Sequence, residues 1–156
     1  MDIQCLTPED VDPFLEALWI PAQRELSTHT PYTLCEDIRE DGHTYRQSLL
    51  EDDDARTLVA RSPDTWIGFL TAMIETPPPI FEQDPACRVD EVYVAPAHRR
   101  RGVATALLEA VEEWARTRDC VALTLVVPAG NDAATAVYDA YGFDVAEHNM
   151  HYQLEA

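Results

Sequence analysis

The sequence predicts one α+β domain over residues 1–156, built on a mixed, largely antiparallel sheet. Three features carry that expectation. Short apolar and β-branched runs alternate with stretches of helical periodicity along the whole chain. The run ending in Val92-Tyr93-Val94 leads through a basic turn into a helical pattern, so strand, turn and helix follow without a linker. A chain of 156 residues with 46% hydrophobic content suits a single domain with a sizeable core.

The elements follow in order. Asp2 to Leu6 reads as a first strand. Thr7 can cap a helix that has Pro8 at its first position and Asp10 in its first turn. Val11, Phe14, Leu15, Leu18 and Trp19 make its apolar face, and Pro21 ends or kinks it. Pro31 to Leu34 is loop, and a second helix is expected from Glu36 to Leu50, before the acidic run Glu51–Asp54. Arg56–Arg61 and Trp66–Ile74 read as a hairpin turning at Ser62-Pro63-Asp64. Pro77, Pro78, Pro79 and Pro85 make the following loop (76–87) extended and stiff; it either faces substrate or simply joins two strands. After the strand at Val89–Val94, Ala104, Leu107, Leu108, Val111 and Ala115 share one helix face. Val121–Val127 reads as a buried strand ended by Pro128, Ala129 and Gly130. Asn131 is placed to cap the next helix, whose face is Ala134, Val137, Tyr138 and Tyr141, and Gly142 stops it. Two short strands, Asp144–Glu147 and Met150–Leu154, are expected to close the chain.

The turn after Val94 carries three arginines and then Gly102, at the mouth of a helix. The first amides of a helix lack intrahelical partners, and the helix dipole adds partial positive charge there. Glycine lets an anion approach the main chain, and arginines can add bidentate contacts. The chain has no lysine and neither GxxxxGK[ST] nor GxGxxG, which excludes two common nucleotide loops. It does have Arg99-x-x-Gly102-x-Ala104, preceded by Val94-x-Pro96. Further on comes Asn131-x-x-Ala134-x-x-x-Tyr138-x-x-x-Gly142-Phe143.

In that order, one helix and one strand apart, these strings resemble the two halves of the core of the GNAT superfamily of N-acetyltransferases. The resemblance covers Arg88 to Glu147. It implies an α/β/α sandwich, a twisted sheet flanked by helices. It implies acetyl-CoA as cosubstrate and direct acetyl transfer to a primary amine in a ternary complex. The amides of Arg101, Gly102, Val103, Ala104 and Thr105 would then hold the pyrophosphate. Arg99 and Arg100 would reach phosphate or stay in solvent; the arginine at 100 stands where one family variant has glycine. Val92, Tyr93, Val94, Asn131 and Ala134 are further cofactor-binding positions, with the Val94 amide near the thioester carbonyl. Tyr138 would face the CoA sulfur.

The chemistry asks for a base and an acid. An alkylammonium has a pKa near ~10.4, so roughly a thousandth is free base at pH 7. Asp90 and Glu91 are the candidate bases. Strict alternation puts them on opposite faces, Asp90 with Val92 and Val94, Glu91 with Val89 and Tyr93. The competing reading is a pair of solvated acids. Tyr138 is the candidate acid, a phenol that stays protonated at neutral pH; the competing reading is a core tyrosine. A module that binds acyl-CoA without transferring it, and a transferase for peptide N-termini, are the alternatives to a small-amine acetyltransferase.

Charge and composition bound the rest. Twenty-nine acidic residues oppose 11 basic ones, all arginine, for a net charge of −18. That excludes nucleic acid and anionic membrane as main partners. The acidity either steers cationic substrates or reflects a salt-rich, halophilic host, and the absence of lysine favours the second. No apolar run is long enough to span a membrane and no secretory signal opens the chain, so a cytoplasmic location is expected. Cys5, Cys35, Cys87 and Cys120 form no CxxC pair and are expected as reduced, mostly buried thiols. The five histidines form no ligand cluster with the cysteines, and His148-x-x-His151, the nearest approach to one, suits a late strand or turn as well as a site, so no metal is expected. Oligomeric state is left open, a homodimer included.

Overall fold

The sheet is built around one long hairpin. In a computed structural model that describes residues 1–155, β2 (Ala55–Ser62) and β3 (Thr65–Glu75) pair around the two residues Pro63-Asp64. β1 (Asp2–Cys5) adds antiparallel to β2, and β4 (Ala86–Val94) antiparallel to β3. β5 (Leu123–Leu125) joins β4 in parallel, giving a mixed five-stranded sheet in the order 1-2-3-4-5.

Each face of the sheet carries helices. On one, α4 (Val103–Thr117) lays Val103, Leu107, Leu108, Val111 and Ala115 onto Leu58, Leu70, Ala72, Cys87 and Val89. α5 (Asp132–Tyr141) contributes Val137, Tyr138 and Tyr141 to the same layer. Leu107, Leu108 and Val111 are fully buried, and removing each from water contributes about 1.5–3 kcal/mol. On the other face, Val11, Phe14, Leu15, Leu18 and Ala22 pack on Val59 and Phe69. The α/β/α sandwich follows from this simple alternation: Leu58 and Ala60 face one layer, Val59 the other.

The first helical arm is continuous where an end or kink is expected at Pro21. A 3-10 turn (Pro8–Asp10) runs into α1 (Val11–Phe14), a π-turn (Leu15–Trp19) and α2 (Ile20–Leu26). Proline lacks an N–H and its ring presses on the carbonyl four residues earlier. The wide π-turn just before Pro21 removes that conflict, and the helix goes on. α3 (Arg39–Glu51) crosses this arm, and a β-carbon at Gly42 would collide with the Trp19 ring.

Four expectations are corrected. The buried strand Val121–Val127 shrinks to Leu123–Leu125, because β5 pairs only with β4 and lies at the sheet edge; Val121 and Val126 are exposed. The terminal strands Asp144–Glu147 and Met150–Leu154 do not form among the described residues, since no neighbouring strand pairs with them. Val145, Met150, Tyr152 and Leu154 therefore stay exposed. The second helix starts at Arg39, three residues later than expected, where Asp37 Oδ1 accepts from the Arg39 amide. Of the four free thiols only Cys87 is buried, and burial pushes its pKa up to about 12.

Candidate active site

The site begins with a fault in β4. Thr71 pairs with Glu91, and Ala72 pairs with Val89, so Asp90 is an extra residue with no partner on β3. Such a bulge shifts the side-chain alternation by one. Val89, Val92 and Val94 all face the α4 layer, while Glu91 and Tyr93 face the first helical arm. The expectation that Val89 shares a face with Glu91, and that Asp90 and Glu91 part to opposite faces, is overturned for this reason. Both carboxylates line one cavity.

β4 and β5 also separate here. Their pairing stops at Val89–Leu125, while β4 continues to Val94. Beyond that point Val126, Val127 and Pro128 lie across a gap from Asp90, Glu91 and Val92. Gly68 keeps β3 close on the other side, because a β-carbon there would sit 2.6 Å from the Tyr93 carbonyl oxygen.

Two cavities open on the gap. The larger, of about 730 Å³, runs along Val92, Tyr93 and Val94 to Arg99, Arg100 and the first turn of α4. Gly102 precedes that helix at φ +78°, and Arg100 also has a positive φ, +63°. These two left-handed residues, on either side of Arg101, turn the chain sharply at the mouth of the helix. The first bond of the helix ladder runs from the Ala106 amide to Gly102 O, leaving the amides of Val103, Ala104 and Thr105 ahead of it. A β-carbon at Gly102 would meet nothing within 4 Å, so the constraint there is conformational and the space in front is open. On the facing wall lie Asn131, Ala134, Val137 and Tyr138. Every residue expected on the cofactor side lines this groove except Arg101, which is exposed outside it.

Two of these residues are already engaged. Arg99 lines the groove with an exposed side chain that the protein itself holds. Its Nε donates to Val94 O at 2.8 Å, Nη2 donates to Glu25 at 2.7 Å, and the guanidinium stacks on Tyr93. Asn131 caps α5 by accepting from the Ala134 amide at 3.2 Å.

The smaller cavity, of about 110 Å³, is lined by Gln23, Glu25, Phe69, Asp90 and Glu91. It shares Glu25, His29, Val92, Tyr93, Asn131, Ala134 and Tyr138 with the larger one. Tyr138 packs edge-on against Phe143, and burial raises its pKa above the usual phenol value. Its hydroxyl has no hydrogen-bond partner among the described residues. Glu91 accepts from Gln23 Nε2 at 2.9 Å and from Arg46 Nη2 at 3.0 Å. Asp90 is bound by Arg88, which also reaches Glu75.

Gln23, Glu25 and Arg46 carry no motif and do not emerge from the sequence. One signal for Arg46 is present: it falls at the core-facing position between Gly42 and Leu49, where a charge is out of place.

The profile of the acetyltransferase (GNAT) family matches residues 13–143. An aminoglycoside N(6')-acetyltransferase type 1 from Acinetobacter haemolyticus is 32% identical over 110 residues, 67% of this chain and 72% of that protein. One from Salmonella typhimurium is 26% identical over 115 residues, 69% of this chain and 74% of that one. In the crystal structure of an aminoglycoside 6'-N-acetyltransferase from Acinetobacter haemolyticus, the fold superposes with a TM-score of 0.76 at 25% identity, covering 100% of this chain and 99% of that one. An acetyltransferase of Clostridium acetobutylicum, solved with acetyl-CoA, shares the fold with a TM-score of 0.76 at 17% identity, over 97% of this chain and 95% of that one. With a bulged strand, an amide-lined turn and this match over most of its length, the chain belongs to the acetyltransferase (GNAT) family and is an acyltransferase.

Proposed function

We propose that this protein moves the acetyl group of acetyl-CoA directly to a primary amine of a cationic small molecule, both substrates being held at once. One observation carries the reading: two cavities merge around Tyr138, with the helix start of α4 at one end and Asp90 and Glu91 at the other. The groove ends in the turn at Arg100 and the amide-rich start of α4, whose main chain suits a pyrophosphate. The smaller cavity presents Glu25, Asp90 and Glu91, which suit an ammonium. The residues of the groove fit the cosubstrate, since the space before Gly102 is open and three amides precede the helix ladder.

Acetyl-CoA supplies the activated acyl group. The chain supplies the proton handling. Glu91 accepts the proton that the amine nitrogen loses as it bonds to the acyl carbon, directly or through one water. Tyr138 donates its proton to the sulfur as the carbon–sulfur bond breaks and regains one from solvent, to which Glu91 releases the proton it accepted. Glu91 is preferred to Asp90 because Gln23 and the buried Arg46 hold its carboxylate in place at the cavity, whereas Asp90 is tied to the exposed Arg88. The relatives named above make aminoglycosides the first acceptors to test, and no nucleophilic side chain is needed in a direct transfer.

The test is thiol release from acetyl-CoA, in molar salt, across aminoglycosides, simple polyamines and peptides with free N-termini. Polycationic small amines are expected to give kcat/KM at least about 100-fold above peptides, the scale on which a charged site discriminates. Peptides reacting faster would replace this reading with a peptide N-terminal transferase. Acetyl-CoA binding without thiol release from any amine would replace it with a binding module.

A further inference from the structure

Arg46 is the largest fully buried side chain of the molecule. Its guanidinium lies 4.9 Å from the centroid of the Phe14 ring and 5.8 Å from that of Phe69. Nη1 donates to Thr57 Oγ1 at 2.9 Å and to Thr71 Oγ1 at 2.8 Å, both threonines being buried. Nη2 donates to Glu91, the only carboxylate within ion-pair distance among the described residues. Thr57, Thr71 and Glu91 are direct cross-strand partners on β2, β3 and β4, so the guanidinium lies across one row of the sheet, beside the bulge.

Stability is a poor reason for this arrangement. Taking a guanidinium and a carboxylate out of water costs several kcal/mol per ion, and apolar replacements of buried pairs are often neutral or stabilising. The Arg46 Nε is left without an acceptor, so the fork is not arranged for full satisfaction either. What the arrangement does achieve is orientation. Arg46 grips one oxygen of Glu91 and Gln23 the other, while the carboxylate still borders the acceptor cavity. A carboxylate has about four lone-pair sites, so each oxygen keeps one for an incoming amine or water.

We propose that Arg46 is a positioning residue, fixing the Glu91 carboxylate against the acceptor cavity from within the core. The inference rests on the proton-accepting role given to Glu91 above. Arg46 itself lines neither cavity.

A double-mutant cycle tests it. Arg46→Met keeps the volume and removes the charge; Glu91→Gln keeps the shape and removes the base. Each single variant is expected to lower kcat toward the best amine about 100-fold, with the dissociation constant for acetyl-CoA within about threefold of wild type. The double variant is expected to be no slower than the slower single one, because both act through one carboxylate. Arg46→Lys should recover part of the loss, since it keeps the charge without the fork. Should Arg46→Met prove unfolded, Arg46→Lys takes its place in the cycle, with the same non-additivity expected. Losses that multiply in the double variant, or a folded Arg46→Met with wild-type kcat, would overturn the inference while leaving the Glu91 role intact. A wild-type rate in Glu91→Gln would instead remove the Glu91 role, and the positioning inference with it.

Discussion

The two cavities that meet at Tyr138 are built on different principles. The larger is mostly main chain: a strand edge, a turn with two left-handed residues and the first amides of α4, all within Val92–Thr105, faced by one helix. The smaller is mostly side chain. Gln23 and Glu91 are 68 residues apart, Arg46 and Glu91 45 apart, and they meet only because three separate elements, α2, α3 and β4, pack together. A main-chain site is local and tolerates changes in side-chain type if the backbone can still take its shape. A side-chain site is non-local, and each of its side chains is set by a different element. That division suits a fold that keeps one donor and varies its acceptors.

The sharpest break of the comparison is Gly102→Glu. A carboxylate would enter the open space before α4, at a residue with φ +78°, facing the amides of Val103 to Thr105. Like charge at a phosphate site and left-handed strain act together. Acetyl-CoA affinity is expected to drop by at least about 100-fold, equivalent to about 3 kcal/mol. The far-ultraviolet spectrum should stay native. Calorimetry returning wild-type affinity for that variant would end the main-chain cradle.

Tyr138→Phe tests the residue that both regions share. Removing one hydroxyl leaves the packing on Phe143 and the α4 layer in place. If the phenol protonates the departing thiolate, kcat should fall by about 10²-fold, the lower end for acid catalysis, with acetyl-CoA affinity unchanged. The pH dependence follows from the upward shift caused by burial. The acid form persists below the raised pKa and is lost as pH rises through it. Wild-type kcat should therefore show no alkaline fall from this residue until above pH 10, the unshifted value. A fall centred below that, absent from Tyr138→Phe, would contradict the burial argument; an unchanged kcat in the variant would leave Tyr138 a packing residue.

The contrast between the regions also explains what the sequence could reveal. Gly102, Asn131 and Gly142 each carry a local conformational message, and the structure places all three at the helix ends expected of them. Arg88 to Tyr141 is read almost element by element. The acceptor side is not, because Gln23, Glu25 and Arg46 sit on helices whose periodicity reports burial and nothing of partners. The bulge at Asp90 is likewise silent: a pleated strand with one extra residue looks the same in sequence as one without it, so alternation misassigns the face of Val89. The terminal segment fails for the opposite reason. Its alternation suggests strands, but a strand needs a partner, and no neighbour within the described chain offers one.

Salt should separate the regions by a smaller margin. A net charge of −18 on 156 residues repels itself, and screening shortens its range from ~10 Å at 0.1 M to ~3 Å at 1 M. The melting temperature is expected to rise by about 5 °C between those limits, equivalent to about 2 kcal/mol at this chain length. The same screening should raise KM for a cationic amine, whose cavity is lined by carboxylates. A melting temperature that stays flat or falls would count against adaptation to a salt-rich cell. An acceptor KM indifferent to salt would count against steering by Glu25, Asp90 and Glu91.

The smallest expected effect is the most discriminating for how the cradle is made. Arg100 holds φ +63° at the turn, a conformation that costs a side-chain-bearing residue about 1–2 kcal/mol and glycine nothing. Arg100→Gly relieves that strain but frees the unfolded chain, which returns about 0.4–1 kcal/mol. The difference leaves a net gain of about 0.5–1 kcal/mol, or roughly 1–3 °C in Tm for a chain of this size. The side chain lost is exposed, while the amides of the turn remain. If the main chain carries the phosphates, acetyl-CoA affinity should hold within about threefold, well under the 1.5–3 kcal/mol of a charged hydrogen bond. A tenfold loss accompanied by the expected gain in Tm would mean that the cradle depends on an arginine side chain after all, and the two cavities would differ less in construction than their backbones suggest.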